Sequence, residues 1–391
     1  MGCQWLIAIA LVHISGYEDA GLFALAMSIA NVFSTFANYG MRSYQATDTE
    51  YVFLPNHYLF ARLGLSCVSA LLCCIYLRLD FYNPRSFAAI MLYLCYSLTF
   101  QISDIIMGNL QRENRLELNG FSNSMRGFLC LALFLAGVLL TKETLCALGF
   151  MGIGSLIVLL FYDIPLYRCY CPNRGQGIRK MSTAALRLCR KCFFVSVSNM
   201  IPIVITAIPR REIQRQLGEE MLGYFSSVYT PMVILNTIIP SLILALIPGI
   251  SYLWKAQQEK ELRKKIGVSY GIVIIITILA MLLSIMFGKP FLKLLYGAEI
   301  VPYTSLMYYS VVAIGLNCAC VCGNYILIAF EKQRQVAMYA GVSLLTAIMS
   351  STMLIRNYQL RGAAYILIAS YAVQTLLQTW TIAAELKLND Y

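Results

Sequence analysis

Along this chain the polar residues do not alternate with the apolar ones. They collect in short gaps between about a dozen apolar stretches. The stretches lie near residues 1–14, 20–40, 58–76, 86–107, 122–140, 145–162, 192–208, 222–247, 266–287, 303–328, 336–354 and 363–384. A hydrocarbon core of ~30 Å is crossed by roughly 20 apolar residues in helical form. Only helices and closed barrels satisfy the backbone in lipid, and long continuous runs without period-two alternation exclude the barrel. The pattern therefore predicts an all-α polytopic membrane protein with about 12 transmembrane helices. The first stretch is too short to cross unaided, and it lacks both a charged leader and a small-residue cleavage site. A truncated first helix is the expectation there, with Met1 not the true start.

Composition agrees: mean hydropathy is +0.68, 59% of residues are hydrophobic and 13% are charged, far from soluble averages. The net charge of +11 is unevenly spread. Two thirds of the 30 Lys and Arg fall in every other gap, leaving Arg78, Arg85, Lys142, Arg210, Arg211, Arg215, Lys289, Lys293, Arg356 and Arg361 on the opposite side. By the positive-inside bias both termini are expected in the cytoplasm. A basic face against anionic lipid accounts for the charge without nucleic acid.

The longest gap, 164–191, holds Arg168, Arg174, Arg179, Lys180, Arg187, Arg190 and Lys191 and the turn-rich run from Cys171 to Gly177. It divides the spans six and six, predicting an N-terminal six-helix lobe over 1–163, a basic cytoplasmic linker over 164–191 and a C-terminal six-helix lobe over 192–391. The halves also echo each other. Gly16-Tyr-Glu18-Asp-Ala-Gly21-Leu-Phe23 leads into the second stretch as Gly218-Glu-Glu220-Met-Leu-Gly223-Tyr-Phe225 leads into the eighth. Both follow an odd-numbered span, so the repeats would be parallel, about an axis along the membrane normal. Such lobes suit alternating access.

Candidate chemistry is sparse and mostly cationic. Arg42 closes the second span, Arg62 opens the third and Arg126 sits a turn inside the fifth. Guanidinium forks suit bidentate contact with phosphate, and intramembrane Arg usually faces a cavity; snorkelling to the interface is the alternative, favoured for Arg112 and Arg115. Asp104 is the deepest acid in this reading. It serves either as a coupling-ion site or as a structural ion pair with Arg126 or Arg62, the second being favoured. Arg210 and Arg211, in a cluster with Glu212 and Arg215, form either an outer anion site or an interfacial helix end. Asn199, Asn236, Asn317 and Asn324 line a cavity or bridge helices, and prolines 202, 231, 240 and 248 break the seventh and eighth spans. Among 14 cysteines, Cys169, Cys171, Cys189 and Cys192 lie in poor zinc spacing, so no metal is assigned. Cys318, Cys320 and Cys322 read as small residues for close packing. No cofactor motif and no enzymatic constellation is present in the sequence.

Several stretches resemble one family. Phe36-Ala-Asn-Tyr-Gly-Met-Arg42-Ser-Tyr-Gln45 is similar to its span-two end. Ser103-Asp104 through Gly108, Gln111 and Arg115, then Gly120, Ser122, Arg126 and Gly127, resembles its span four-to-five junction. Ile208-Pro209-Arg210, Leu217-Gly218-Glu219-Glu220 and Gly223-Tyr224-Phe225 resemble the start of its second lobe. Glu331-Lys332 through Arg361-Gly362-Ala363-Ala364 resembles its final hairpin. In order and spacing these cover essentially the whole chain and resemble the Wzx-type oligosaccharide flippases of the multidrug/oligosaccharidyl-lipid/polysaccharide exporter superfamily.

The resemblance implies a V-shaped bundle of two six-helix lobes around a cationic cavity. It implies a bacterial inner-membrane flippase carrying undecaprenyl-diphosphate-linked oligosaccharide from inner to outer leaflet, alone or with other polysaccharide-assembly membrane proteins. Arg42, Arg62 and Arg126, with Arg210 or Arg211, would then receive the pyrophosphate. The rivals are a cation-coupled multidrug exporter on the same fold, which wants deep acids; a membrane polymerase or ligase, which wants a large outer loop; and a non-transporting assembly scaffold.

Overall fold

Because lipid offers no hydrogen bonds, each apolar stretch closes its own backbone as a helix. A computed structural model describes residues 2–47, 53–112, 115–170 and 178–388. Among them every regular element is helical. In chain order these are α1 (Gly2–Ser15), α2 (Tyr17–Asn38), α3 (Met41–Thr47), α4 (Pro55–Leu79), α5 (Pro84–Arg112), α6 (Leu116–Thr141), α7 (Thr144–Val158), α8 (Ile164–Tyr170), α9 (Ile178–Leu217), α10 (Glu219–Tyr229), α11 (Leu235–Leu244), α12 (Ile247–Lys255), α13 (Glu259–Tyr296), α14 (Ser305–Ala329), α15 (Gln333–Tyr358) and α16 (Leu360–Leu388). A π-helical turn, Leu159–Asp163, joins α7 to α8, and a 3-10 turn, Thr230–Ile234, joins α10 to α11.

Among the described residues ten helical stretches are long and apolar enough to cross a membrane; a bent pair within α9 (Met181–Phe193 and Val195–Leu217) makes an eleventh if it is one span, and α1 is a shorter apolar helix. That tally matches the roughly twelve expected. The exposed side chains are as telling as the buried ones: Ile275, Met286, Leu294 and Trp380 are all at least two-thirds exposed, as lipid-facing residues are when no bilayer covers them.

The chain divides into two compact units, Met1–Ile203 and Val204–Tyr391. In the first, α5 packs against α2, α3, α4 and α7, while α1 lies on α2 and α6. Its buried cluster joins Met41, Tyr58, Ile105, Leu110, Leu188 and Cys192 from α3, α4, α5 and α9. In the second unit α14 is central, packed on α11, α13 and α16, with α15 and α16 forming a tight hairpin. Gly362 is required in that hairpin, since a Cβ there would strike the Leu354 carbonyl. Cys318 and Cys320 are likewise buried and donate to the Leu235 and Tyr371 carbonyls at 3.7 and 3.2 Å, so these small side chains sit where helices approach closely.

The segment 164–191 is largely helical. It comprises α8 and the first part of α9, while residues 171–177, with Cys171 and Arg174, lie outside the described residues. The unit boundary falls further on, inside α9. Span eight breaks where its prolines predict: Pro231 lies in the 3-10 turn and Pro248 in the first turn of α12, with Pro240 inside α11. Pro202 is absorbed within α9.

The echo between the halves has a backbone counterpart. Gly16 (φ 89°, ψ −178°) and Gly218 (φ 93°, ψ 177°) each stand immediately before a helix, α2 and α10. That conformation is essentially restricted to glycine. The same sequence pattern therefore enforces the same joint in both units.

Candidate functional site

The site begins at the end of α2. Tyr39 (φ 50°) and Gly40 (φ 65°) turn the chain through left-handed conformations, starting a separate short helix, α3, which carries Arg42. Arg42 thus lies beyond the end of span two, on an element of its own. Gly40 has no room for a side chain, because a Cβ would lie 2.6 Å from Val195 Cγ1. Its N–H donates to Asn38 Oδ1 at 3.2 Å, and Asn38 Nδ2 donates to Gln101 at 2.7 Å and to Asp104 at 3.4 Å.

Gln101, Asp104 and Gln111 share one face of α5 by helical spacing. Arg42 forms an ion pair with Asp104 through Nη1, and its Nη2 lies 3.3 Å from Gln111 Oε1. Gly108, one turn beyond Asp104, leaves space that Gln45 of α3 occupies. Arg62 approaches from α4. Its Nη1 donates to the Ala37 carbonyl at 2.9 Å, and its Nη2 lies 4.0 Å from Asp104 Oδ2. Its side chain is completely buried, yet its Nε and Nη2 make no hydrogen bond. One carboxylate therefore serves two guanidinium groups, and buried donors remain unfilled.

Arg126 belongs to a second network. Its partner is Asp163, and both are buried. Asp163 also accepts from Ser103, and from Ser122 at 2.7 Å, while Arg126 donates to Ser103 and lies over the Phe100 ring at 5.4 Å. Of the two partners expected for Asp104, Arg62 lies within ion-pair distance and Arg126 does not. Consecutive α-helical residues point about 100° apart, so Ser103 faces α6 and the π-turn while Asp104 faces α2, α3 and α4. Asp163 was missed because the apolar run ends at Tyr162 and hides its depth. The π-turn carries the helix past that point, and π-turns often mark functional sites.

Arg210 and Arg211 belong to the second unit. Arg210 stacks over Tyr229 at 5.4 Å, and Arg211 lies 3.9 Å from Glu212. In that unit Asn317 donates to Asn236 at 3.0 Å and Gln378 to Asn324 at 2.7 Å, bridging helices. Arg115 pairs with Glu117 at 3.4 Å on the surface. Among the described residues no group of His, Cys, Asp or Glu stands where it could hold a metal ion.

A multi-pass helical protein with a buried cationic cluster is the build of a membrane transporter, and comparison with known proteins narrows the class. Residues 2–254 match the family described as "Polysaccharide biosynthesis protein", and the chain belongs to that family. It is 24% identical over 301 residues to the capsular polysaccharide biosynthesis protein CapF of Staphylococcus aureus, covering 76% of this chain and 74% of that one. Its fold is similar to an inward-facing multidrug resistance MATE family transporter of the MOP superfamily (TM-score 0.79, 12% identity, 100% of this chain and 96% of that chain). It is also similar to the lipid II flippase MurJ in an inward closed conformation (TM-score 0.72, 12% identity, 97% and 85%). At those identities the solved structures speak to the fold alone.

Proposed function

We propose that this protein is a flippase for undecaprenyl-diphosphate-linked oligosaccharide repeat units, moving them from the inner to the outer leaflet of a bacterial cytoplasmic membrane by alternating access. The observation that carries the reading is the Arg42–Arg62–Asp104 cluster. It holds surplus positive charge, and Arg62 keeps unfilled donors in a fully buried position. Buried donors without partners are costly. An incoming phosphoryl oxygen would satisfy them with charge-assisted hydrogen bonds.

The cargo explains the need. Diphosphate and sugar hydroxyls cannot enter hydrocarbon unaided, whereas the polyprenyl tail can stay in lipid throughout. No bond is made or broken; the protein lowers a desolvation barrier. In this reading Arg42 and Arg62 contact the diphosphate first, and Arg126 braces the neighbouring helices. Membership of a polysaccharide biosynthesis family supports the sugar-linked cargo, and relatives named for capsule synthesis and for lipid II flipping point the same way. A cation-coupled drug exporter would want a buried carboxylate free for its ion, but Asp104 and Asp163 are both held by guanidinium groups.

The test is complementation in cells that lack their own flippase and carry the cognate sugar-assembly genes. Wild type should restore surface polymer, and Arg62→Ala should abolish it while lipid-linked repeat units accumulate inside. Arg62→Lys should restore little, because an ammonium replaces the planar fork. Full export with Arg62→Ala at wild-type expression would remove the cluster from the mechanism.

A further inference from the structure

Helix α9 carries Ala184, Arg187, Arg190 and Lys191 on one face, at helical spacing. Its Leu188 and Cys192 lie on the adjoining face, turned into the core of the first unit. With Phe53 and His57, the four enclose a cavity of about 340 Å³, within the size range of small-ligand pockets. Ala184, Phe53 and His57 are buried, while the three cations are exposed at the rim. None of the three cations pairs with a carboxylate among the described residues.

One wall is already ordered. Lys191 Nζ donates to the Tyr44 hydroxyl at 3.1 Å, and it lies 5.6 and 5.4 Å from the Tyr44 and Phe53 ring centroids. Phe53 is fixed in turn by edge contacts to His57 and Tyr58. Arg187 and Arg190 keep their planar forks available. The cavity therefore offers two bidentate donors beside a positioned point charge over an apolar floor. That combination suits a phosphoryl group rather than a diffuse surface anion.

Its position identifies the carrier of that phosphoryl group. Phe53 immediately precedes α4, a 25-residue span, and His57 lies in its first turn. The cavity thus opens at the end of a transmembrane helix, where hydrocarbon gives way to headgroups. On the same helix as the cations, Leu186 and Phe193 are 59% and 49% exposed, an apolar flank suited to acyl chains. Basic pockets at such positions hold anionic headgroups.

We infer that this cavity binds the phosphate ester of an anionic membrane lipid. Arg187 and Arg190 grip the phosphoryl oxygens, Lys191 supplies the fixed charge, and Leu186 and Phe193 receive the tails. The inference stands apart from the translocation reading, because a lipid held here is bound whether or not cargo moves. The Arg42–Arg62 cluster contributes none of its residues.

The test uses the full-length protein in phosphatidylcholine nanodiscs, titrated with phosphatidylglycerol and read by native mass spectrometry for retained lipid. Wild type should retain phosphatidylglycerol over phosphatidylcholine. R187Q/R190Q should weaken retention by roughly 25-fold, at about fivefold for each basic residue. R187K/R190K, which keeps the charge but not the planar forks, should recover only part of the loss, separating loss of the site from loss of the fold. R62A should hold the lipid as wild type does, so the translocation reading and this one can fail independently. Undiminished retention in R187Q/R190Q overturns the proposal. So does inorganic pyrophosphate binding wild type as tightly as the lipid, since the site would then serve a free anion.

Discussion

At the residue scale, the first unit contains two kinds of buried charge. Arg126 and Asp163 are matched one to one, and Ser103 and Ser122 complete the carboxylate's hydrogen bonds. Removing one member of such a pair strands the other, at about 3–5 kcal/mol, whereas replacing both with apolar groups is often close to neutral. Asp163→Leu and Arg126→Met should each sharply lower thermal stability in detergent. The double variant should recover most of the loss, and a double-mutant cycle reads the coupling directly. Additive losses would mean that the pair does not hold these helices together. Arg42, Arg62 and Asp104 were legible in the sequence because charge within apolar runs stands out. Their grouping around a single carboxylate was not, since it depends on the turn at Tyr39–Gly40 bringing α3 against α5. Asp163 was illegible for a different reason: hydropathy ends the span one residue too early, and nothing in composition signals a π-turn.

At the scale of elements, apolar length located the spans well, while polar composition misled between them. The basic stretch before residue 192 reads as a loop by charge, yet Ala184, Ala185, Leu188 and Cys192 recur at helical spacing and are buried. That amphipathic signal was present, and a basic face hid it. Short α3 left no trace because seven residues are too few to show a period. The paired glycines give a sharp element-level expectation. Gly16→Ala and Gly218→Ala force a side chain into a region open essentially to glycine, at ~1–3 kcal/mol each, although nothing lies within 4 Å of the added Cβ. Thermal melts should therefore fall for both. Asn should rescue neither, because it tolerates the left-handed helical region and not this one. Recovery with Asn would show that the joint relaxes and that the echo is only a resemblance in sequence.

At the scale of the whole molecule, the charge distribution predicts which side each loop faces. Alkaline phosphatase fused after Lys142 should be active outside the cell, and fused after Lys332 it should be inactive; the reverse pattern would invert the proposed direction of transport. The cluster's surplus charge also has an electrical consequence. Moving one elementary charge through the membrane potential involves about 2.3 kcal/mol per 100 mV. A diphosphate linked to lipid and sugar carries one negative charge on each phosphoryl group. In the proposed cycle the resident cations return to their starting place, so the net electrical work depends on the cargo alone. What two guanidinium groups and one carboxylate decide is how that work divides between the loaded step and the empty return. With cargo seated, the cluster's net charge passes from +1 to −1, so the voltage acts on the loaded unit as on an anion. Empty, it is a cation drawn back toward the negative cytoplasmic side, so the potential favours the loaded step and the reset alike and divides the work evenly between them.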